Sequence, residues 1–165
     1  ADDLIERHVL ELRYFHFQRA NEIRERKNYN TICLIHFQLQ NGNTIPVLHR
    51  SYYLESLPNG SIWLSLCTYT PYIETPTLTS GQIINNKNGK VVQQKEYQLY
   101  DNLLLSPREK EVLTLLAKGH SSKQIADILN ISTNTVYRHR QNILSALQVS
   151  NTAAAIQVGF RLNII

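Results

Sequence analysis

Between Ser132 and Leu147 the chain reads STNTVYRHRQNILSAL. Advancing about 100° per residue from Val136 puts Val136, Ile143 and Leu147 along one line, with Leu144 at its flank. Arg138, Gln141, Asn134 and Ser145 fall on the far side, and Tyr137 and Asn142 at the shoulders. A guanidinium can bond guanine O6 and N7 together, and a carboxamide can bond adenine N6 and N7. Each good pair discriminates by roughly 1–3 kcal/mol. No carboxylate occurs between Ser132 and Ile165 to repel a phosphate. The bland alternative is a capped helix with a solvated polar face, and this helix taken alone fits both.

The elements before it decide between the two. Ser106-Pro107-Arg108-Glu109 has the S-x-x-E form of a capping box, with Pro at the first helical position. The helix it opens buries Val112, Leu113 and Leu116, with Ala117 beside them, and stops at Gly119, a residue suited to a left-handed C-terminal cap. Ser121 or Ser122 caps the next helix, with Gln124 placed to reciprocate from Ser121. Ile125, Ile128 and Leu129 are expected to face inward, and Ala126 to let another helix approach. Asn130 sits in the turn, where Asn tolerates positive φ. Ile131 plugs the corner, and Ser132 caps the third helix. A short scaffold helix, a tight turn and a helix rich in planar hydrogen-bonding groups is what reading a major groove demands.

This segment resembles the LuxR-type helix-turn-helix (FixJ/NarL/GerE-like) over roughly residues 104–160. The resemblance is carried by LSPREKEVL, AKGHSSKQIADILNIS, TNTVYRHRQNIL and Val149-x-Asn151. It implies a four-helix DNA-binding domain whose third helix enters the groove, and whose fourth, about Thr152–Asn163, serves dimerisation. Tyr137, Arg138 and Gln141 are then expected near base edges, together with Asn134. Ser122, Lys123, Thr133, Thr135, His139, Arg140 and Asn142 are expected near phosphates. His139 is equally placed to be a half-buried packing residue. Three positions where the pattern carries a cation hold Tyr137, Ala146 and Thr152 instead. Phosphate affinity should therefore be lower than is typical.

The first hundred residues read differently. Residues 4–27 have helical spacing, with Leu4, Ile5, His8, Val9 and Leu12 recurring. Thr31–Gln40, Ile45–Leu57 and Ser61–Tyr72 are strand-like, joined by Asn41-Gly42-Asn43 and Pro58-Asn59-Gly60, an antiparallel meander. Thr75–Ser80 marks a surface excursion. Gln82–Asn85 and Lys90–Gln94 flank Asn86-Lys87-Asn88-Gly89 as a small hairpin. A helix leading into RKNYNTICLIHFQLQNGNTIPVLHRSYYLESLPNGSIWLSLCTYTPY resembles the second half of a PAS domain. The two strands and short helices that precede this half in a full PAS fold are not evident. The expected organisation is a PAS-like sensory or dimerisation region over 1–94, a linker over 95–105 and the helix-turn-helix domain over 106–165. The fold class is α+β followed by all-α. A sheet with an open edge and face favours pairing with a second copy.

Bulk properties agree with a polyanion partner. The chain has 165 residues, 42% of them hydrophobic, and a net charge of +4. Residues 1–100 hold 10 Lys/Arg against 9 Asp/Glu; residues 101–165 hold 7 against 4, so the basic excess lies in the C-terminal part. No apolar run approaches the roughly 20 residues that span a bilayer. The acidic Ala1-Asp2-Asp3 start lacks the basic region of a signal peptide, and a cytoplasmic location is expected. The chain has no Met and can be a trimmed piece of a longer one. Cys33 and Cys67 read as two buried thiols. His36 and His49 can face each other across the hairpin, but no acidic or Cys partner falls at ligand spacing, so no metal is expected. His8 and His16, and a haem ligand on the first helix, are rejected likewise. No nucleophile–base pair, Walker loop or G-x-S-x-G appears, so no enzyme activity and no cofactor are expected. The Asp2-Asp3 pair lacks the alternation of a phosphoreceiver domain. The expected partners are duplex DNA, a second copy of the chain, and RNA polymerase or a partner regulator. The residues identify no small-molecule ligand. A competing expectation, from another class, is a protein-interaction adaptor that holds a partner regulator through its sheet and binds DNA weakly or not at all.

Overall fold

The computed structural model describes residues 2–73 and 80–165. The surface excursion expected over Thr75–Ser80 lies outside them, apart from Ser80. The chain divides into two compact units, Ala1–Tyr97 and Gln98–Ile165.

The first unit is a helix on an antiparallel sheet. α1 runs from Asp2 to Ala20, and a 3-10 turn spans Ile23–Asn28. The single helix expected over 4–27 is thus interrupted near Asn21, whose side chain donates to the Phe17 carbonyl at 2.8 Å and occupies one of the helix's last acceptors. β1 (Tyr29–Gln38), β2 (Thr44–Ser56), β3 (Ile62–Pro71) and β4 (Gln82–Asn85) form one sheet in the order β3-β2-β1-β4. The meander is as expected. β4 is an addition: it pairs with β1, Tyr29 opposite Asn85 and Ile32 opposite Gln82. The small hairpin expected here also closes, over a short stretch: Val91 bridges Ile84, the Asn85 N–H donates to the Lys90 carbonyl at 2.9 Å and the Val92 N–H to the Ile83 carbonyl at 2.8 Å.

Alternation sorts the sheet's two faces. Cys33, Ile35, Val47, His49 and Tyr53 are buried on the face that α1 covers. Leu10 of α1 lies so close to Gly81 that a Cβ there would meet its Cδ2 at 2.7 Å, so a larger residue would require the Leu10 side chain to shift. A buried polar chain fixes the end of α1. Gln18 donates to the Tyr14 hydroxyl at 2.7 Å and to the Arg26 carbonyl at 2.9 Å; Tyr14 in turn donates to the Tyr29 carbonyl. The Arg26 guanidinium donates to Ser56 Oγ and to the Gly60 carbonyl, each at 2.7 Å, binding the 3-10 turn to the β2–β3 connection.

Two further expectations fail in this unit. His36 and His49 do not face each other: His49 lies opposite Cys33, and His36 lies opposite Pro46 and bonds Asp3. Cys33 is buried, but Cys67 is exposed, because β3 is an edge strand that α1 leaves largely uncovered. Trp63, Leu64, Leu66 and Tyr69 are exposed along the same strand.

The second unit is all-helical. The expected linker, 95–105, is divided between the units. α2 (Gln94–Gln98) carries the buried Tyr97, while the 3-10 turn Asp101–Leu103 leads into the buried Leu104 and Leu105. α3 (Pro107–Ala117), α4 (Ser122–Leu129), α5 (Thr133–Ala146) and α6 (Thr152–Arg161) follow. Val112, Leu113, Ile125, Val136, Ile143, Leu147 and Val158 close its core, each at 2% exposure or less. Among the described residues no helix is long and apolar enough to cross a membrane.

Candidate nucleic-acid interface

The caps set α4 and α5 at a defined angle. Ser106 and Glu109 form a reciprocal capping box at the start of α3, and Ser121 and Gln124 form another at the start of α4. Gly119 takes φ +85°, ending α3 as expected. Asn130 takes φ 58° and ψ 45°, the left-handed cap of α4. The chain turns there, Ile131 N–H closes on the Ala126 carbonyl at 3.0 Å, and Ser132 accepts from Thr135 N–H at 3.1 Å to open α5. Every one of these bonds satisfies a backbone group that a bare helix end would leave open.

α5 buries the stripe Val136–Ile143–Leu147, with Leu144 at its half-buried flank. Asn134, Tyr137, Arg138 and Gln141 are all exposed, and Tyr137 remains 54% exposed. The expected base-reading set is thus gathered on one open side of one helix.

The expected phosphate set divides. Lys123 is exposed in the first turn of α4, and Thr133 and Thr135 are half-exposed in the first turn of α5. Ser122 is buried, and its Oγ accepts from Arg140 Nη1 at 2.8 Å. Arg140 Nη2 donates to Thr152 Oγ1 at 3.0 Å, so two arms of this guanidinium bond to protein. His139 is half-buried, and its Nδ1 lies away from solvent with no hydrogen-bond partner among the described residues. Asn142 hydrogen-bonds the Glu109 carboxylate. Burial works against the charge on Glu109. The Ser106 amide and hydroxyl, the Asn142 amide and the nearby His139 nevertheless hold its carboxyl below the ordinary value of 4.5.

Ile128, expected to face inward, is 53% exposed. α4 has only eight residues, and its buried stripe runs Ser122–Ile125–Ala126, which turns Ile128 outward by about 100° per residue. Arg140 lies four residues after Val136 and three before Ile143, a spacing that puts it beside the buried line. That is the signal by which its bonding to other helices could have been found.

Residues 103–158 match the family described as "Bacterial regulatory proteins, luxR family". Over 71 residues the chain is 41% identical to the response regulator protein VraR of Staphylococcus aureus, and equally to that of Staphylococcus epidermidis. The match covers 43% of this chain and 33% of VraR, so the chain spans about a third of the length of these curated relatives. Among solved structures, a dimer of VqmA from Vibrio cholerae overlaps 90% of this chain and 62% of its own, with TM-score 0.36 and 16% identity. A phage VqmA–DPO complex overlaps 92% and 61%, with TM-score 0.35 and 19% identity. These last two are loose likenesses, and the resemblance that carries weight is that of the C-terminal unit. Residues 103–158 match the luxR family of bacterial regulatory proteins, and the capped α4–turn–α5 geometry accords with that match.

Proposed function

We propose that the chain is a sequence-specific transcription regulator that reads the DNA major groove with α5. The observation that carries this reading is the side-by-side exposure of Arg138 and Gln141, flanked by Asn134 and Tyr137, on a helix whose opposite stripe is fully buried. A carboxamide and a guanidinium at that spacing present two planar forks to base edges. Lys123, Thr133 and Thr135 lie in the first turns of α4 and α5, at the positive ends of the two helices, which favour phosphate oxygens. α5 and α6 carry no carboxylate to oppose them.

The working form is a homodimer in the cytoplasm, on half-sites about 10 bp apart. The N-terminal unit, read as the PAS-like half, is the sensing or dimerising platform. Its β3 edge, with Trp63 at 64% exposure and Leu64 and Leu66 beside it, supports pairing with a second copy. RNA polymerase or a partner regulator is the protein through which it acts. The same edge also favours the adaptor reading, in which the sheet holds another regulator and the helix-turn-helix contributes little.

A gel-shift titration of the full chain on duplex DNA at several salt concentrations tests the DNA-binding reading. The expected result is log–log salt dependence, with a slope of about −0.9 per phosphate neutralised. Absence of binding, or binding indifferent to salt, supports the adaptor.

A further inference from the structure

We propose that Arg140 is a positioning residue, one that fixes the roll of α5 against both α4 and α6 and does not itself neutralise a DNA phosphate. Its place on the helix is the first reason. Four residues after Val136 and three before Ile143, Arg140 leaves α5 beside the stripe that is buried, well round from Arg138 and Gln141. Its hydrogen bonds are the second. One fork reaches the first residue of α4 and the first residue of α6: Nη1 to Ser122 Oγ at 2.8 Å, Nη2 to Thr152 Oγ1 at 3.0 Å. Ser122 is 8% exposed, so its hydroxyl is committed inside the unit.

The chemistry of the two acceptors is the third reason. A guanidinium at the start of two helices sits at their positive ends, an unfavourable place for a cation. Hydroxyl oxygens aimed at its N–H groups offset that cost, and planar donors hold both in one fixed geometry. Thr152 stands where the LuxR-type pattern carries an arginine, and an arginine there would put a second cation beside Arg140 instead of an acceptor. The lost cation at 152 and the bonded guanidinium at 140 are therefore one arrangement. Through it, any displacement of α6 reaches the middle of α5, the turn that carries Arg138 and Gln141.

The DNA readout of this proposal rests on the DNA-binding reading; the three-helix joint itself does not. The test uses the full chain as wild type, Arg140→Gln, Thr152→Val, Ser122→Ala and the Arg140→Gln/Thr152→Val double variant. Urea unfolding without DNA comes first. Because the two residues share one bond, the double variant should lose little more than the worse single variant; simple additivity overturns the joint. Salt titrations follow, on a duplex enriched from a random pool and on the pool itself. Arg140→Gln should keep the wild-type salt slope and lose roughly three- to tenfold in preference for the enriched duplex. Thr152→Val, which changes no charge, should lose a similar factor. A slope smaller by about 0.9 for Arg140→Gln, with Thr152→Val silent, makes Arg140 a phosphate contact and overturns the proposal. If the wild type enriches no duplex, the DNA-binding reading fails, and the unfolding cycle decides the joint alone. If Arg140→Gln does not fold, Thr152→Val and Ser122→Ala carry the comparison, and wild-type preference and stability in both overturns it.

Discussion

Arg108 donates from Nη2 to the Leu129 carbonyl at 2.6 Å, joining the first turn of α3 to the last residue of α4. That carbonyl is one of the acceptors a helix end leaves without an intrahelical partner. The other arm of Arg108 meets Glu111 at 2.7 Å, a pair open to solvent. The two bonds are of similar length but should differ in worth. Arg108→Ala is expected to destabilise the C-terminal unit by about 1–2 kcal/mol. Glu111→Ala should stay within about 0.5 kcal/mol. Urea unfolding of the two variants checks the order, and equal losses would refute the assignment.

Asn130 holds a left-handed conformation between α4 and α5. Asn130→Gly should be close to neutral. Asn130→Ala should cost about 1 kcal/mol, because alanine keeps the Cβ that crowds the following carbonyl but loses the short polar side chain whose local hydrogen bonding makes that region tolerable. Thermal midpoints of the two variants measure the difference, and a more stable alanine variant contradicts it.

Glu109 gives the C-terminal unit an acid limit. Its folded carboxyl titrates below the ordinary 4.5, chiefly because the Ser106 and Asn142 bonds and His139 outweigh the cost of burial. The stability it contributes is therefore fully present above pH 4.5 and is lost as pH falls through the lowered folded value. Glu109→Gln keeps an acceptor for the Ser106 amide but cannot titrate. It should be less stable at neutral pH and show a flatter decline below pH 4.5. Unfolding curves for both proteins from pH 7 to pH 3 read this directly, and parallel declines count against it.

The two thiols should react in sequence. Cys67 is exposed on β3. Cys33 is buried beside His49 at 3.6 Å; burial, reinforced by the Glu11 carboxylate, pushes its thiol up to about 12. A thiol reagent on the folded chain should modify Cys67 promptly and Cys33 only after denaturant is added. Two fast thiols would mean that α1 does not cover the sheet as described.

What the sequence displayed was mostly local. Ser106, Ser121, Ser132, Gly119 and Asn130 act within three or four residues of themselves, and each caps or turns the chain as its type suggests. The alternation that defines β1 and β2 is equally local. Pairing across the chain was not legible in this way. Nothing near Gln82–Asn85 says that it will add to β1 as well as close its own hairpin. Cys67 looks like a core thiol until β3 is known to be an edge. Ile128 fits an inward helical face until the buried stripe of an eight-residue helix is fixed by Ser122 and Ala126. Arg140 was assigned by resemblance, although its own angular position beside Val136 and Ile143 pointed toward the other helices.

The central claim is that Arg138 and Gln141, open on α5, read bases. Selection of sites from a random duplex pool, run in parallel with wild type and Arg138→Ala, tests it most directly. Wild type should enrich one motif, and Arg138→Ala should lose preference at one position of it, by roughly 1–3 kcal/mol, while keeping its affinity for the unselected pool. No enrichment by the wild type, or an equal loss on selected and unselected DNA in the variant, would contradict it.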